Sequence, residues 1–216
     1  GRFLATTFIK KLIDNPAGDV RQRYGIDADC SLAIPNIVET ACLLHDIGNP
    51  PFGHFGESAI SNWFKGYWSR CSHGIKDEGG SLELKADMLA FDGNPQGFRI
   101  VTKLTGVDDH GMNLLFSQIA STVKYPIGPG DIDKDKPLQK KAGVYYAEID
   151  CWNEICDRLN LGRGKRFPLA YLMEAADDIS YCLSDIEDGI EKGFFKHEAF
   201  VDAVLEGLVV EPSAAT

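Results

Sequence analysis

The chain has no C-x-x-C pair and no compact cysteine framework; its six cysteines, Cys30, Cys42, Cys71, Cys151, Cys156 and Cys182, are scattered. With no secretory signal ahead of them, that scatter argues against a disulfide scaffold or a zinc ribbon. It fits reduced thiols used as small apolar residues. No apolar run approaches the roughly 20 residues that a membrane helix needs, so no spanning segment is expected. Strict apolar–polar alternation is nearly missing as well. Only Phe98 to Val101 and Gly143 to Tyr146 could be short strands.

Positive charge is in deficit: 22 Lys and Arg stand against 32 Asp and Glu, a net charge of −10. Such a chain repels nucleic acid and polyphosphate on average, so a phosphate ligand needs locally placed cations or a metal. Clusters that mix aromatic and basic residues are also lacking, which argues against strong nucleic-acid binding. There is no initiating Met. The chain opens on Gly1-Arg2-Phe3-Leu4 and closes on Pro212 to Thr216, and both ends are expected to continue in a longer protein.

What is present is apolar periodicity. The 216 residues, 44% of them hydrophobic, suffice for one sizeable core. Leu4, Phe8, Ile9, Leu12 and Ile13 make one helical stripe. Ile37, Ala41, Leu44 and Ile47 make a second, opened by Pro35 near its first turn. Ile60, Trp63 and Phe64 continue after Gly56, and Met112, Leu115, Phe116, Ile119, Ala120 and Val123 form the cleanest pattern. Ile149, Trp152, Ile155, Cys156 and Leu159 follow. The longest stripe runs from Leu169 to Ile186 behind Pro168, and Phe200, Val201, Val204 and Leu205 give a last one. Gly128 to Pro137 reads as a mobile surface loop. These signs predict an all-α, mainly helical protein forming a single domain over residues 1–216.

The sharpest local signal is the run Leu43 to Glu57. His45 and Asp46 close an apolar helix that Gly48, Pro50 and Pro51 must end. An imidazole and a carboxylate at an interior helix end are costly unless paired or ligated. Offered together they suit a borderline-hard divalent metal; the bland alternative is a satisfied core His with a capping Asp. His54 and Glu57, three apart, share a face if a helix starts there, and a second His beside a metal is a natural proton donor or acceptor. A second carboxylate centre runs from Glu174 to Asp185. Asp177, Tyr181 and Asp185 recur every fourth residue along one stripe, and Ala175, Ala176 and Ser180 are small, as where a helix backs onto a crowded site.

The segments His45–Glu57 and Tyr171–Asp185, in this order, resemble the deoxyguanosine triphosphate triphosphohydrolase branch of the HD-domain superfamily of metal-dependent phosphohydrolases. The resemblance implies one divalent metal (Mn, Mg, Fe or Zn) held by His45, Asp46 and Asp177, with Asp177 preferred to Asp178 for its spacing to Tyr181 and Asp185. It implies that His54 is catalytic with Glu57 as its partner, and that Asn94, Lys124, Lys141, Tyr181 and Asp185 contact the substrate. The implied substrate is a deoxynucleoside triphosphate, dGTP favoured, cut by water attack at the α-phosphorus to deoxynucleoside and tripolyphosphate. A homo-oligomer, often a hexamer, is implied too; weak single-stranded DNA binding by the whole protein stays open, and the reduced thiols and the lack of a long apolar run point to a cytoplasmic location and no membrane. One family ligand, a His just ahead of a Gly-Arg pair, falls upstream of Gly1-Arg2, and the family's C-terminal substrate arginines are absent. Two alternatives stay open: an HD phosphodiesterase or nucleotidase, and a regulatory or single-stranded-DNA-binding module without turnover.

Overall fold

The computed structural model describes residues 1–14, 30–71, 81–107 and 110–209. The described residues contain helices and no strand, as the all-α reading expects. They are α1 (Arg2–Ile13), α2 (Cys30–Leu44), α3 (Gly53–Cys71), α4 (Ser81–Leu89), α5 (Gly93–Arg99), α6 (Phe116–Thr122), α7 (Ile149–Arg158), α8 (Pro168–Glu191) and α9 (His197–Val209). No helix among them is long and apolar enough to cross a membrane. The chain divides into two compact units, Gly1–Ala176 and Asp177–Thr216, with the boundary inside α8.

In the first unit α2 packs against both α1 and α6. The core gathers Phe98, Val101, Ile119, Ala120, Val123, Val144, Trp152, Ile155 and Cys156, with Leu44 and Phe167 against it. Phe98 meets Trp152 edge to face at 6.0 Å between ring centres. Each such side chain contributes about 2 kcal/mol on leaving water. Leu44 is the last residue of α2, so core packing fixes the point from which His45 and Asp46 emerge.

Several expectations change on meeting the fold. Phe98 to Val101 is not a strand; it is the end of α5 running into a π-helical turn over Ile100–Leu104. Phe98, Val101 and Thr102 are buried while Lys103 and Leu104 are exposed, a helical spacing that a four-residue run is too short to reveal. Gly143 to Tyr146 is not a strand either, since Tyr146 opens a 3-10 turn. Pro35 lies inside α2, five residues past its first residue, giving up the bond an amide there would make. The pattern from Met112 to Val123 yields only the seven residues of α6. Gly111 and Asn113 adopt left-handed backbone, φ 58° and 51°, and the Met112 amide donates to the Val101 carbonyl at 2.9 Å. Met112 and Leu114 still pack on the core, from a loop. The Gly128–Pro137 loop contains two 3-10 turns, Pro129–Asp131 and Pro137–Gln139.

Buried charge ties the middle of the unit together. Asp87 of α4 is fully buried and accepts from the Tyr146 amide at 2.7 Å and the Ala147 amide at 3.2 Å. Burial raises its carboxyl above the ordinary range, against the opposing pull of those two amides and of Arg99. Arg99 in turn pairs with buried Glu148 at 3.0 Å and lies 4.4 Å over the Tyr145 ring. In the second unit, Gly189 lets the Phe195 ring approach α8; a Cβ there would stand 2.6 Å from it.

Candidate functional site

His45 and Asp46 occupy the turn that follows α2. His45 Nδ1 lies 2.8 Å from the Cys42 carbonyl, one helical turn back. As a donor to that carbonyl it fixes the tautomer that turns Nε2 outward, the arrangement ligating histidines use. His45 Nε2 then stands 3.4 Å from Asp46 Oδ2. One nitrogen and one carboxylate oxygen so close together, on a rigid helix end, fit a divalent cation as a two-donor corner. Among the described residues no group of three or more His, Cys, Asp or Glu side chains is gathered around a common point.

The turn between this corner and α3 is shaped by glycine. A Cβ on Gly48 would lie 2.1 Å from the Gly93 carbonyl and the Gly97 amide, and one on Gly56 2.2 Å from the Pro51 carbonyl. The turn therefore presses directly on α5. Phe52 and Gly53 hold left-handed backbone, φ 68° and 52°, which turns the chain sharply into α3. His54 is the second and Glu57 the fifth residue of that helix.

Glu57 is the centre of the arrangement and is 8% exposed. Its Oε2 receives His54 Nδ1 at 2.7 Å, and its Oε1 accepts from the Gly93 amide at 2.8 Å. Lys141 Nζ lies 3.7 Å from Oε2 and 2.6 Å from Asp92 Oδ2. Asp92 caps α5, its Oδ1 accepting from the Asn94 amide at 3.0 Å and from Asn94 Nδ2 at 2.6 Å. Burial penalises the Lys141 ammonium, but the Asp92 hydrogen bond and the charges of Asp92 and Glu57 outweigh it and hold its pKa above the usual lysine value. The His54 side chain is 87% exposed, with its outer edge in solvent. A cleft of about 460 Å³ opens there, lined by His54, Glu57, Asn62, Lys65, Asp92 and Lys141 among others, and that volume suits a small organic ligand.

The two lysine segments meet by backbone. The Gly143 and Val144 amides both donate to the Ile127 carbonyl, at 3.0 Å and 3.3 Å. A Cβ on Gly143 would stand 1.8 Å from the Tyr125 carbonyl, so only glycine allows this approach. Lys124 is further held by Arg166, whose Nε donates to the Lys124 carbonyl at 2.7 Å. Arg166 is itself buried, pairs with Glu174 and lies 4.8 Å over the Tyr171 ring.

Of the residues singled out from sequence, His54, Glu57, Asn94 and Lys141 thus share one connected network, and His45 and Asp46 stand together at the end of α2. Asp177, Tyr181 and Asp185 lie four apart along α8, in the second unit. Asp92 and Arg166 were missed as functional candidates. Asp92 carried a signal, an Asp immediately before Gly-Asn-Pro at a helix start. Arg166 carried none, because its partners are 42 and 8 residues away.

The first unit thus offers a His-Asp corner at the end of α2 and a carboxylate-held histidine in a cleft that Lys65 and Lys141 help to line. Comparison with known proteins finds relatives over most of the chain. The chain is 38% identical over 233 residues to the deoxyguanosinetriphosphate triphosphohydrolase of Yersinia enterocolitica, an alignment covering 95% of this chain and 44% of that protein. It is 42% identical over 188 residues to the protein of the same name from Serratia proteamaculans, covering 76% and 36%. For that of Salmonella arizonae the figures are 38% over 223 residues, 92% and 42%. No protein-family model matches. Along most of its length the chain is thus similar to proteins named deoxyguanosinetriphosphate triphosphohydrolase, and it spans a little under half the length of the curated relatives it matches.

Proposed function

We propose that this chain carries the catalytic centre of a metal-dependent hydrolase that converts dGTP to deoxyguanosine and tripolyphosphate. The observation that supports it best is the His54–Glu57–Lys141–Asp92–Asn94 network beside the His45–Asp46 corner, in a chain whose relatives bear the triphosphohydrolase name. His45, Asp46 and Asp177 would hold the divalent ion, with manganese and magnesium the first to try. When bound, it supplies Lewis acidity toward the phosphate and water.

The chain's own residues do the rest. Glu57 keeps Nδ1 of His54 engaged, so Nε2 is the atom that carries or takes a proton in the cleft. Lys124 and Lys141 offer cations to the polyphosphate, which reconciles phosphate binding with a net charge of −10. Asn94, Tyr181 and Asp185 would contact the sugar and the phosphate side of the substrate. A homo-oligomer is part of the same reading; exposed Phe3, Leu32 and Leu43 on α1 and α2 support it.

The test is product analysis. Full-length protein incubated with dGTP and Mn²⁺ should release deoxyguanosine and tripolyphosphate. Release of dGMP with pyrophosphate, or of inorganic phosphate alone, overturns the reading. Changing Asp177→Asn and Asp178→Asn separately should abolish turnover only for the former.

A further inference from the structure

Lys141 faces two carboxylates, and only one of them has an oxygen to spare. Glu57 Oε1 is committed to the Gly93 amide and Oε2 to His54 Nδ1, yet Lys141 Nζ stands 3.7 Å from that same Oε2. An ammonium at that distance would move onto Oε2 and compete with the imidazole, were it not held 2.6 Å from Asp92 Oδ2. Asp92 is in turn over-determined. Both Asn94 nitrogens donate to its Oδ1, which leaves Oδ2 for the lysine.

We infer that Asp92 is a positioning residue: it holds the Lys141 ammonium off Glu57 and so reserves Glu57 for His54. The inference rests on the reading of His54 and Glu57 as the working pair. A helix cap needs only the one oxygen that Oδ1 provides, so the ion pair through Oδ2 is an addition that capping does not require. Asp92 is 7% exposed, where an unpaired carboxylate or ammonium is costly, so losing its charge must send Lys141 to the remaining carboxylate.

The variant Asp92→Asn keeps the shape and the capping acceptor while removing the charge. The ring ¹⁵N shifts of His54, read in substrate-free protein at about pH 8.5 where an ordinary histidine is neutral, report the tautomer. Asp92→Asn should lower the Nδ1–H fraction, and Asp92→Asn/Lys141→Met should restore it. Lys141→Met alone should leave it unchanged, which keeps the idea testable if Asp92→Asn folds poorly. In full-length protein Asp92→Asn should lower kcat for dGTP about tenfold, a part of the roughly hundredfold or larger contribution of a general acid–base group, with KM nearly constant. An unchanged tautomer in Asp92→Asn, no restoration in the double variant, or a shifted tautomer in Lys141→Met overturns the inference. Absence of dGTP turnover in the unaltered protein would instead sink the proposed function, and the tautomer readings would still decide the role of Asp92.

Discussion

Glu57 serves three neighbours with two oxygens, and its substitutions should separate these duties. Glu57→Gln keeps an acceptor for the Gly93 amide but can no longer hold His54 by charge; turnover in full-length protein should fall about a hundredfold or more, with the unfolding midpoint nearly unmoved. Glu57→Ala also strands the buried Gly93 amide, costing roughly 1–3 kcal/mol in urea unfolding. Lys141 makes a pH prediction. Its pKa is raised in the folded state above the ordinary 10.5, so its contribution to stability is fully present below that value and is lost as pH climbs through the raised one. Stability measured by urea unfolding should therefore drop more steeply above pH 10.5 in the unaltered protein than in Lys141→Met. At this scale sequence served local pairs well. His45 with Asp46, and His54 with Glu57, are close in sequence and need only helix geometry to meet. Lys141 meets Asp92 and Glu57 across 49 and 84 residues. Its segment could be named from family resemblance, but no spacing rule could supply its partners.

Helices were legible wherever one face is apolar and the opposite face is not. α1, α3, α7, α8 and α9 follow their stripes, and Pro168 stands at the first position of α8, where its missing amide costs nothing. Legibility failed where tertiary contacts chose the backbone. Met112 has a helical neighbourhood in sequence but gives its amide to Val101, and the π-helical turn at Ile100–Leu104 has no periodic signature of its own. α4 escaped notice because its exposed Leu82 and Leu84 blur the pattern, while Asp87, which is fully buried, reads as surface. The Gly48 contact belongs to this scale too. Gly48→Ala drives a methyl into the backbone of α5, which cannot yield as a flexible side chain would. It should cost about 3 kcal/mol, at the upper end for overpacking, and lower the thermal midpoint. Because α5 carries Asn94 and is capped by Asp92, it should depress turnover as well.

Over the whole molecule the charge balance sets the chemistry. A chain with ten excess negative charges draws no polyanion from a distance, so substrate must be held by a few local cations. Under the proposed function, a chelator should abolish dGTP turnover by the full-length protein, and manganese or magnesium should restore it. Full activity after exhaustive chelation would contradict the metal assignment.

The clasp at Ile127, where two successive amides close on one carbonyl, has an architectural corollary. The chain leaves this clasp at Gly128 and returns to it through Lys141, which is tied to Asp92, and Ala142, which is buried, so the exposed tip between them is an excursion hung from a fixed neck, and lengthening such an excursion is cheap because closure entropy grows only logarithmically with its length. Residues could be spliced in near Lys134 while the anchors on either side keep their spacing, which makes that tip a natural place to graft a reporter on this protein.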